Sequence, residues 1–159
     1  SSASYLFKDY ANITHANATI FQTTNSVYMQ QIRSYSAADE MQTTDEQAKI
    51  DFVRKKVSSR SKDFKFVAYV NDKGIAYFDD GHVEDISKNS FCQALLKKEK
   101  NQTYGTPIKF GNTPEYVIPI SKAFLKSDTP GYIMIGIPLE TYQTKLKNFT
   151  KPKTRKNRL

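Results

Sequence analysis

The chain has 159 residues, 38% of them hydrophobic and 25% charged, which suffices for one soluble domain with its own core. Its one cysteine excludes an intrachain disulfide, and six glycines are too few for a credible nucleotide-binding loop. The net charge is +8, but Lys151, Lys153, Arg155, Lys156 and Arg158 leave only +3 for the body, which argues against a basic nucleic-acid-binding face.

The first forty residues predict a long amphipathic helix. They contain no Gly or Pro, and apolar residues recur at three- and four-residue steps from Leu6 to Tyr35. This helix is longer than one small domain needs, so we expect part of it to pack against a second copy in a homodimer. Thr44 and Gln47 have the spacing of a capping box, which predicts a second, shorter helix.

From Phe64 onward the pattern changes to strands. Aromatic and β-branched segments bounded by turn residues predict strands over 64–70, 75–78, 103–110, 115–125 and 131–139. Ser87 is positioned to cap a short helix before the third strand, and 139–149 predicts a final helix. Hairpin-length links favour an antiparallel sheet, so the fold class is α+β.

Four segments, in order, resemble the Cache family of extracellular sensor domains, which are PAS-like in fold. They are Phe-Val-Ala-Tyr-Val-Asn-Asp-Lys-Gly (66–74), Asp-Ile-Ser-Lys-Asn-Ser-Phe (85–91), Tyr-Val-Ile-Pro-Ile (116–120) and Gly-Tyr-Ile-Met-Ile-Gly-Ile-Pro-Leu-Glu (131–140). The resemblance implies a single Cache module, with a five-stranded antiparallel sheet, the long N-terminal helix on one face and a small-molecule pocket on the other.

The resemblance also implies a place in a larger protein. Such domains lie in the periplasm or outside the cell, as segments of inner-membrane receptors with chemotaxis, histidine-kinase or cyclic-dinucleotide outputs. We therefore expect one sensor domain over 1–150, with N-terminal helices over 1–60, a sheet core over 64–139 and an exit helix over 139–150. Residues 151–159 form a basic tail. We expect the segment itself to be no enzyme and to need no cofactor.

Strand alternation suggests which residues face the pocket. We expect Phe66, Ala68 and Val70 to join the isoleucines of the later strands beneath the long helix, which leaves the opposite, mixed face for a ligand. The predicted ligand-binding residues are Tyr69, Asn89, Phe91, Tyr104, Ser121 and Tyr132. Asn89 stands where family members that bind amino acids usually have Arg, so the usual bidentate contact to a carboxylate is absent. Lys88 or Lys122 could supply a positive charge instead.

Several other chemistries remain weaker alternatives. Acidic residues surround His82, but without the ligand spacing of a calcium loop, and the two His and one Cys do not form a zinc pattern. Cys92 lies among apolar helix positions, which favours a buried side chain over a nucleophile. The main rival is a nucleic-acid or anionic-surface binding module that uses the basic tail. A purely structural dimerisation domain with a filled pocket is a third interpretation.

Overall fold

A computed structural model describes Lys8, Ala11 and residues 18–150. In this part of the chain, helices and strands follow in the order α1 (Ala18–Ser36), α2 (Glu46–Lys55), β1 (Phe66–Val70), β2 (Ile75–Phe78), β3 (Val83–Asp85), α3 (Ser90–Leu96), β4 (Gln102–Tyr104), β5 (Val117–Ala123), β6 (Tyr132–Pro138) and α4 (Leu139–Thr150). None of the described helices is both long and apolar enough to cross a membrane.

The strands form one antiparallel sheet in the order β3-β2-β1-β6-β5-β4. The first and last strands are therefore neighbours at its centre, and β1 is buried along its whole length. The predicted α+β class is confirmed. The described sheet has six strands instead of five, because Gly81, at φ 94°, turns the chain back and lets Val83–Asp85 pair with β2.

The fourth strand is shorter than predicted. The segment 103–110 was expected to be continuous, but β4 ends at Tyr104 and only Ile108 forms a further bridge, to Val117. Pro107 explains the interruption, since it has no N–H for the sheet ladder. The chain between Gly105 and Tyr116 is free to leave the sheet and lie across it.

The N-terminal helices show two differences from prediction. Within the described residues, the long helix is α1, which ends at Ser36; of the earlier predicted part, only Lys8 and Ala11 are described, both helical. The predicted capping box is wrong by one residue: Asp45, not Thr44, caps α2, and its carboxylate accepts from the Ala48 N–H (3.4 Å). Aspartate is at least as good an N-cap as threonine, so the adjacent residue competes successfully.

The sheet separates two apolar clusters. One face, here called the helix face, packs under α1, α2 and α4; its buried members include Ile32, Ile50, Ile120, Ile135 and Tyr142. The opposite face, here called the lid face, is covered by α3 and the segment 105–116; its buried members include Phe66, Met134, Cys92, Leu95 and Phe110. Each face gains the stability of a buried side-chain layer, about 1.5–3 kcal/mol for each large aliphatic or aromatic residue.

Candidate functional site

The register of β1 reverses one of the predicted face assignments. Phe66, Ala68 and Val70 lie on the lid face, and Val67 and Tyr69 lie on the helix face. The assignments for β5 and β6 are confirmed, because Ile118, Ile120, Ile133, Ile135 and Ile137 all belong to the helix-face cluster. The prediction for β1 was wrong because all five of its residues are apolar or aromatic and buried, so alternation carries no information about direction.

This register divides the predicted ligand-binding residues. Ser121 and Tyr132 are buried on the lid face, since Ser121 pairs with Met134 and Tyr132 pairs with Val70. Tyr69 and Tyr104 lie on the other side: Tyr69 is in the helix-face cluster and Tyr104 pairs with Ile120. The structure therefore brings Ser121 and Tyr132 to one face and leaves Tyr69 and Tyr104 apart from them.

The two predicted residues of the short helix lie at the lid. Asn89 is half-buried at the N-cap of α3, where its side chain makes no capping hydrogen bond. The helix thus begins after Asn89 and not at Ser87, whose N–H donates to Asp85 in the preceding turn (2.9 Å). Phe91 is half-buried against the lid-face cluster, and a methyl group on Gly105 would lie 3.3 Å from its ring. Gly105 therefore lets Phe91 come close to β4.

Three buried hydroxyls lie on the lid face with no oxygen or nitrogen atom as a hydrogen-bond partner in the described chain. They belong to Thr103, Ser121 and Tyr132, which we call the hydroxyl cluster. Their exposed fractions are 8%, 0% and 1%. Thr103 is not among the predicted ligand-binding residues; it lies opposite Ser121 in the β4–β5 pair. A buried hydroxyl without a partner is costly, so such groups call for an explanation.

Cys92 of α3 lies over this cluster, beside the Tyr132 hydroxyl. Burial raises the pKa of the Cys92 thiol, and burial together with the adjacent thiol raises the pKa of Tyr132. Both groups therefore stay protonated and uncharged at neutral pH. A thiol is a weak hydrogen-bond partner, so it satisfies the tyrosine only poorly.

The other half of the lid face is filled by aromatic rings. Phe66, Phe78 and Phe110 pack edge to face, with ring centroids 4.8 to 5.6 Å apart. The Phe66 ring lies over Gly136 of β6, where a methyl group would come within 2.3 Å of it. This half is closed by the protein's own side chains, in the manner of a core.

An open cleft of about 940 Å³ lies beside Tyr132 of the hydroxyl cluster. Its walls are the C-terminal end of α3 with residues 98–102 on one side and the β5–β6 connection on the other. Leu95 and Tyr132 line the cleft and also belong to the lid-face cluster. The cleft has the volume of a small-molecule site and is lined by Tyr132, whereas Thr103 and Ser121 lie behind its wall and all three hydroxyls are closed to solvent.

The two lysines considered as charge donors for the site, Lys88 and Lys122, are either exposed or on the helix face. Lys88 is exposed, and Lys122 pairs with Ile133, which places it on the helix face. Burial and the nearby Arg33 lower the pKa of Lys122. Neither lysine reaches the hydroxyl cluster, so neither supplies the positive charge that Asn89 cannot.

The acidic residues around His82 make protein contacts. Glu84 accepts from the Gly111 N–H (2.8 Å) and lies 2.7 Å from His82 Nε2, and Asp80 accepts from Asn112 (3.0 Å). The described residues contain no group of three or more potential ligands placed to hold a metal ion. These contacts fasten the segment 105–116 to the β2–β3 hairpin, and so hold one part of the lid.

Comparisons with known proteins find similarity in structure. No protein-family model matches the chain, and no curated protein matches it in sequence. The sensory domain of the Campylobacter jejuni chemoreceptor Tlp3, with isoleucine bound, is 17% identical, with a TM-score of 0.63 over 91% of this chain and 64% of that one. The ligand-binding domain of the Pseudomonas fluorescens chemoreceptor CtaA, in complex with L-isoleucine, is also 17% identical, with a TM-score of 0.63 over 92% of this chain and 63% of that one.

A third structure agrees with these two. The ligand-binding domain of the Pseudomonas aeruginosa chemoreceptor PctB, in complex with L-Gln, is 14% identical, with a TM-score of 0.60 over 89% of this chain and 57% of that one. The chain therefore spans less than two thirds of the length of these domains. At such identities the likeness establishes the fold alone. It is the fold of these chemoreceptor ligand-binding domains, and it agrees with the predicted Cache-type architecture.

Proposed function

We propose that this chain is the extracytoplasmic ligand-sensing domain of a membrane signalling receptor, and that it binds a small molecule at the hydroxyl cluster without catalysing a reaction. The observation that carries the proposal is the presence of three buried, unpartnered hydroxyls on the lid face. A bound molecule that enters through the adjacent cleft would supply the missing hydrogen bonds. Ser121, Tyr132 and Thr103 are the contacts we propose, with Phe91 and Asn89 at the lid.

The structural neighbours support this class of function. Tlp3 and CtaA hold isoleucine and PctB holds L-Gln, all of them small molecules. We extend the proposal to the parent protein: residues 1–150 form one sensor domain in the periplasm or outside the cell, carried by an inner-membrane receptor. A chemotaxis, histidine-kinase or cyclic-dinucleotide module would be its cytoplasmic output.

Signalling would pass through the terminal helices. β6 carries Tyr132 and runs directly into α4. The α4 residue Tyr142 donates to Asn25 of α1 (2.6 Å), and its ring stacks on Phe21 with centroids 5.1 Å apart. A ligand that binds one arrangement of β6 better than another would shift the population of the α1–α4 pair.

We also propose that the domain forms a homodimer through α1. The exposed residues in the middle of this helix include Thr23, Ser26, Val27 and Gln30, all uncharged, and Val27 is 45% exposed; Arg33 in the last turn is the one charged residue among the exposed positions of α1. The cores of protein interfaces are poor in charged residues, so this surface suits contact with a second copy better than a row of ions would.

A thermal-shift screen of amino acids and other small metabolites tests the ligand-sensing proposal. A true ligand is expected to raise the melting temperature with concentration. Ser121→Val, which replaces the cluster hydroxyl with two methyl groups, is expected to abolish that shift, and Tyr104→Phe on the opposite face is the control. Equal shifts in wild type and Ser121→Val would place the ligand elsewhere, and a screen without any shift would contradict ligand sensing.

A further inference from the structure

The chemistry of the lid face restricts the kind of molecule that the proposed site accepts. The polar groups of the hydroxyl cluster are an aliphatic hydroxyl on each of Thr103 and Ser121 and a phenol on Tyr132. Each can donate one hydrogen bond and accept others, and none is charged at neutral pH. Cys92 adds a protonated thiol beside Tyr132. The site thus offers several neutral donors and acceptors within an apolar layer.

No buried ionic group of the described chain lies on this face to neutralise a charged ligand. The buried charged residues in this part of the chain are Lys49 and Asp79, and Asp79 pairs with Arg60 (2.7 Å) and accepts from the Val67 N–H on the helix face. Asp85 adds to the effect of burial in raising the pKa of the Cys92 thiol, but it is exposed to water. Glu84, at the edge of this face, is already engaged by His82 and the Gly111 N–H. The buried Lys49 lies on the other side of the sheet, where it donates to the Pro130 carbonyl (3.0 Å).

Charged residues do occur in the cleft outside the cluster. Lys98, Glu99, Lys100 and Asp128 line its walls, all of them exposed. Ions held at such a surface stay in contact with water and are strongly screened. A carboxylate or ammonium that moved inward to the hydroxyls would lose its water and gain no counter-ion, which is strongly unfavourable.

We infer that the ligand of this site is an uncharged molecule with hydroxyl, carbonyl or amide groups beside an apolar skeleton, and that a free zwitterionic amino acid is excluded. This inference rests on the proposed function. It differs from what the structural neighbours hold, because isoleucine and L-Gln carry both an ammonium and a carboxylate. Hydrogen bonds from a neutral amide or alcohol would satisfy the buried hydroxyls without bringing an unpaired charge into the lid face.

Matched pairs of compounds test the inference directly. Isovaleramide and isovalerate share one skeleton and differ in charge, as do benzamide and benzoate, and L-isoleucine serves as the zwitterion. Binding to the full 159-residue chain would be measured by thermal shift and calorimetry at constant ionic strength. We expect a neutral member to bind at least about tenfold more tightly than its charged counterpart.

Variants locate the binding. Ser121→Ala removes a hydroxyl without a partner, and Tyr132→Phe removes one that has only the weak Cys92 thiol beside it in the described chain, so both variants are expected to fold. Both should weaken binding of the neutral compound by about tenfold. Tyr69→Phe removes the hydroxyl of a buried tyrosine on the helix face and should leave binding unchanged. This control separates loss of a ligand contact from a general effect of losing a phenol.

The outcomes separate this inference from the proposed function. If an anion or L-isoleucine binds and the hydroxyl variants abolish its binding, the sensor proposal stands and the restriction to neutral ligands is overturned. If charged compounds bind equally well to the hydroxyl variants, the site lies elsewhere and the inference also falls. If neither member of any pair binds, and the wider metabolite screen also finds no ligand, both proposals fail together.

Discussion

Tyr132 and Tyr28 are both almost fully buried, but their hydroxyls differ in what they contact. Tyr28 donates to Asp63 (2.8 Å), whereas Tyr132 has only the Cys92 thiol beside it. Removal of an unpartnered hydroxyl relieves a penalty of about 1–3 kcal/mol, and loss of a formed hydrogen bond costs about 1 kcal/mol. Tyr132→Phe should therefore leave the free energy of unfolding unchanged or raise it, and Tyr28→Phe should lower it.

Urea denaturation of both variants without added compound measures the difference. Equal destabilisation by the two substitutions would mean that the Tyr132 hydroxyl has a partner of its own, which would remove it from the hydroxyl cluster.

Lys49 is a buried cation and should make stability depend on pH. It is 1% exposed, donates to the Pro130 carbonyl, and lies 4.9 Å from the Tyr69 ring centroid and 5.2 Å from that of Phe124. Burial lowers its pKa below the ordinary 10.5, and the carboxylates of Glu46, Asp72 and Asp45 oppose this only in part. Between the folded and unfolded pKa the native state binds fewer protons, so its free energy of unfolding rises with pH there.

Lys49→Met keeps much of the apolar stem and removes the titrating group. The free energy of unfolding of the wild type, minus that of Lys49→Met, should increase as pH rises from neutral towards 10.5 and should be smallest below the folded pKa. Urea titrations across this range measure it, with Lys56→Met, an exposed lysine on the end of α2, as control. A difference that is flat in pH would contradict the assignment.

At the scale of single residues, the sequence indicates candidate ligand contacts whose role stays a prediction. Ser121 and Tyr132 are among the predicted residues because they are polar side chains on otherwise apolar strands. Thr103 is not among them, since it lies in a polar segment where one more hydroxyl does not stand out. The burial of Lys49 could not be predicted, because lysines at helical positions normally reach solvent and only the tertiary packing of Tyr69 and Phe124 encloses this one.

Among the elements, β1 and β6 are held at a fixed distance by one close contact. A methyl group at Gly136 would come within 2.3 Å of Phe66 Cε2, and the ring cannot easily move, since Phe78 and Phe110 pack on it. Gly136→Ala should lower the free energy of unfolding by about 1–3 kcal/mol through overpacking. In the Phe66→Leu background, Gly136→Ala should lower the free energy of unfolding clearly less, because the ring that the new methyl group would meet is gone.

A double-mutant cycle by chemical denaturation gives this coupling. Additive costs would show that the strain at Gly136 arises from backbone or from another neighbour, and that Phe66 does not close this half of the lid face.

The elements also show why local patterns settle some questions and leave others open. The positions of β1, β2, β5, β6 and the exit helix followed from turn residues and periodicity, as did the start of β4, and the described helix α1 agrees with the predicted stripe. The face on which each β1 side chain lies did not follow, because a strand buried on both faces has no polar side to distinguish them. β3 was missed because it has three residues and gains its stability from pairing with β2.

For the molecule as a whole, the basic tail distinguishes the sensor proposal from nucleic-acid binding. Truncation after Thr150 removes five positive charges and none of the hydroxyl cluster. Ligand-induced thermal shifts should therefore be unchanged in the truncated chain, and fluorescence anisotropy should find no tight binding of labelled DNA to either form. Strong, salt-dependent binding of DNA that disappears on truncation would favour the rival function.

The proposed dimer is the other property of the whole molecule that can be tested. Val27 is 45% exposed on α1, and Val57 is 40% exposed in the turn after α2, so the two offer similar surface at different places. Val27→Glu places a charge in the proposed interface, where the second copy brings the same charge close by symmetry, and burial of both is unfavourable. We expect sedimentation velocity to show a concentration-dependent dimer for wild type and Val57→Glu and a monomer for Val27→Glu. The contrast isolates α1, since both variants add one carboxylate to an exposed valine. A dimer that survives Val27→Glu would have its interface elsewhere, and signalling through a paired α1 would then have to be abandoned.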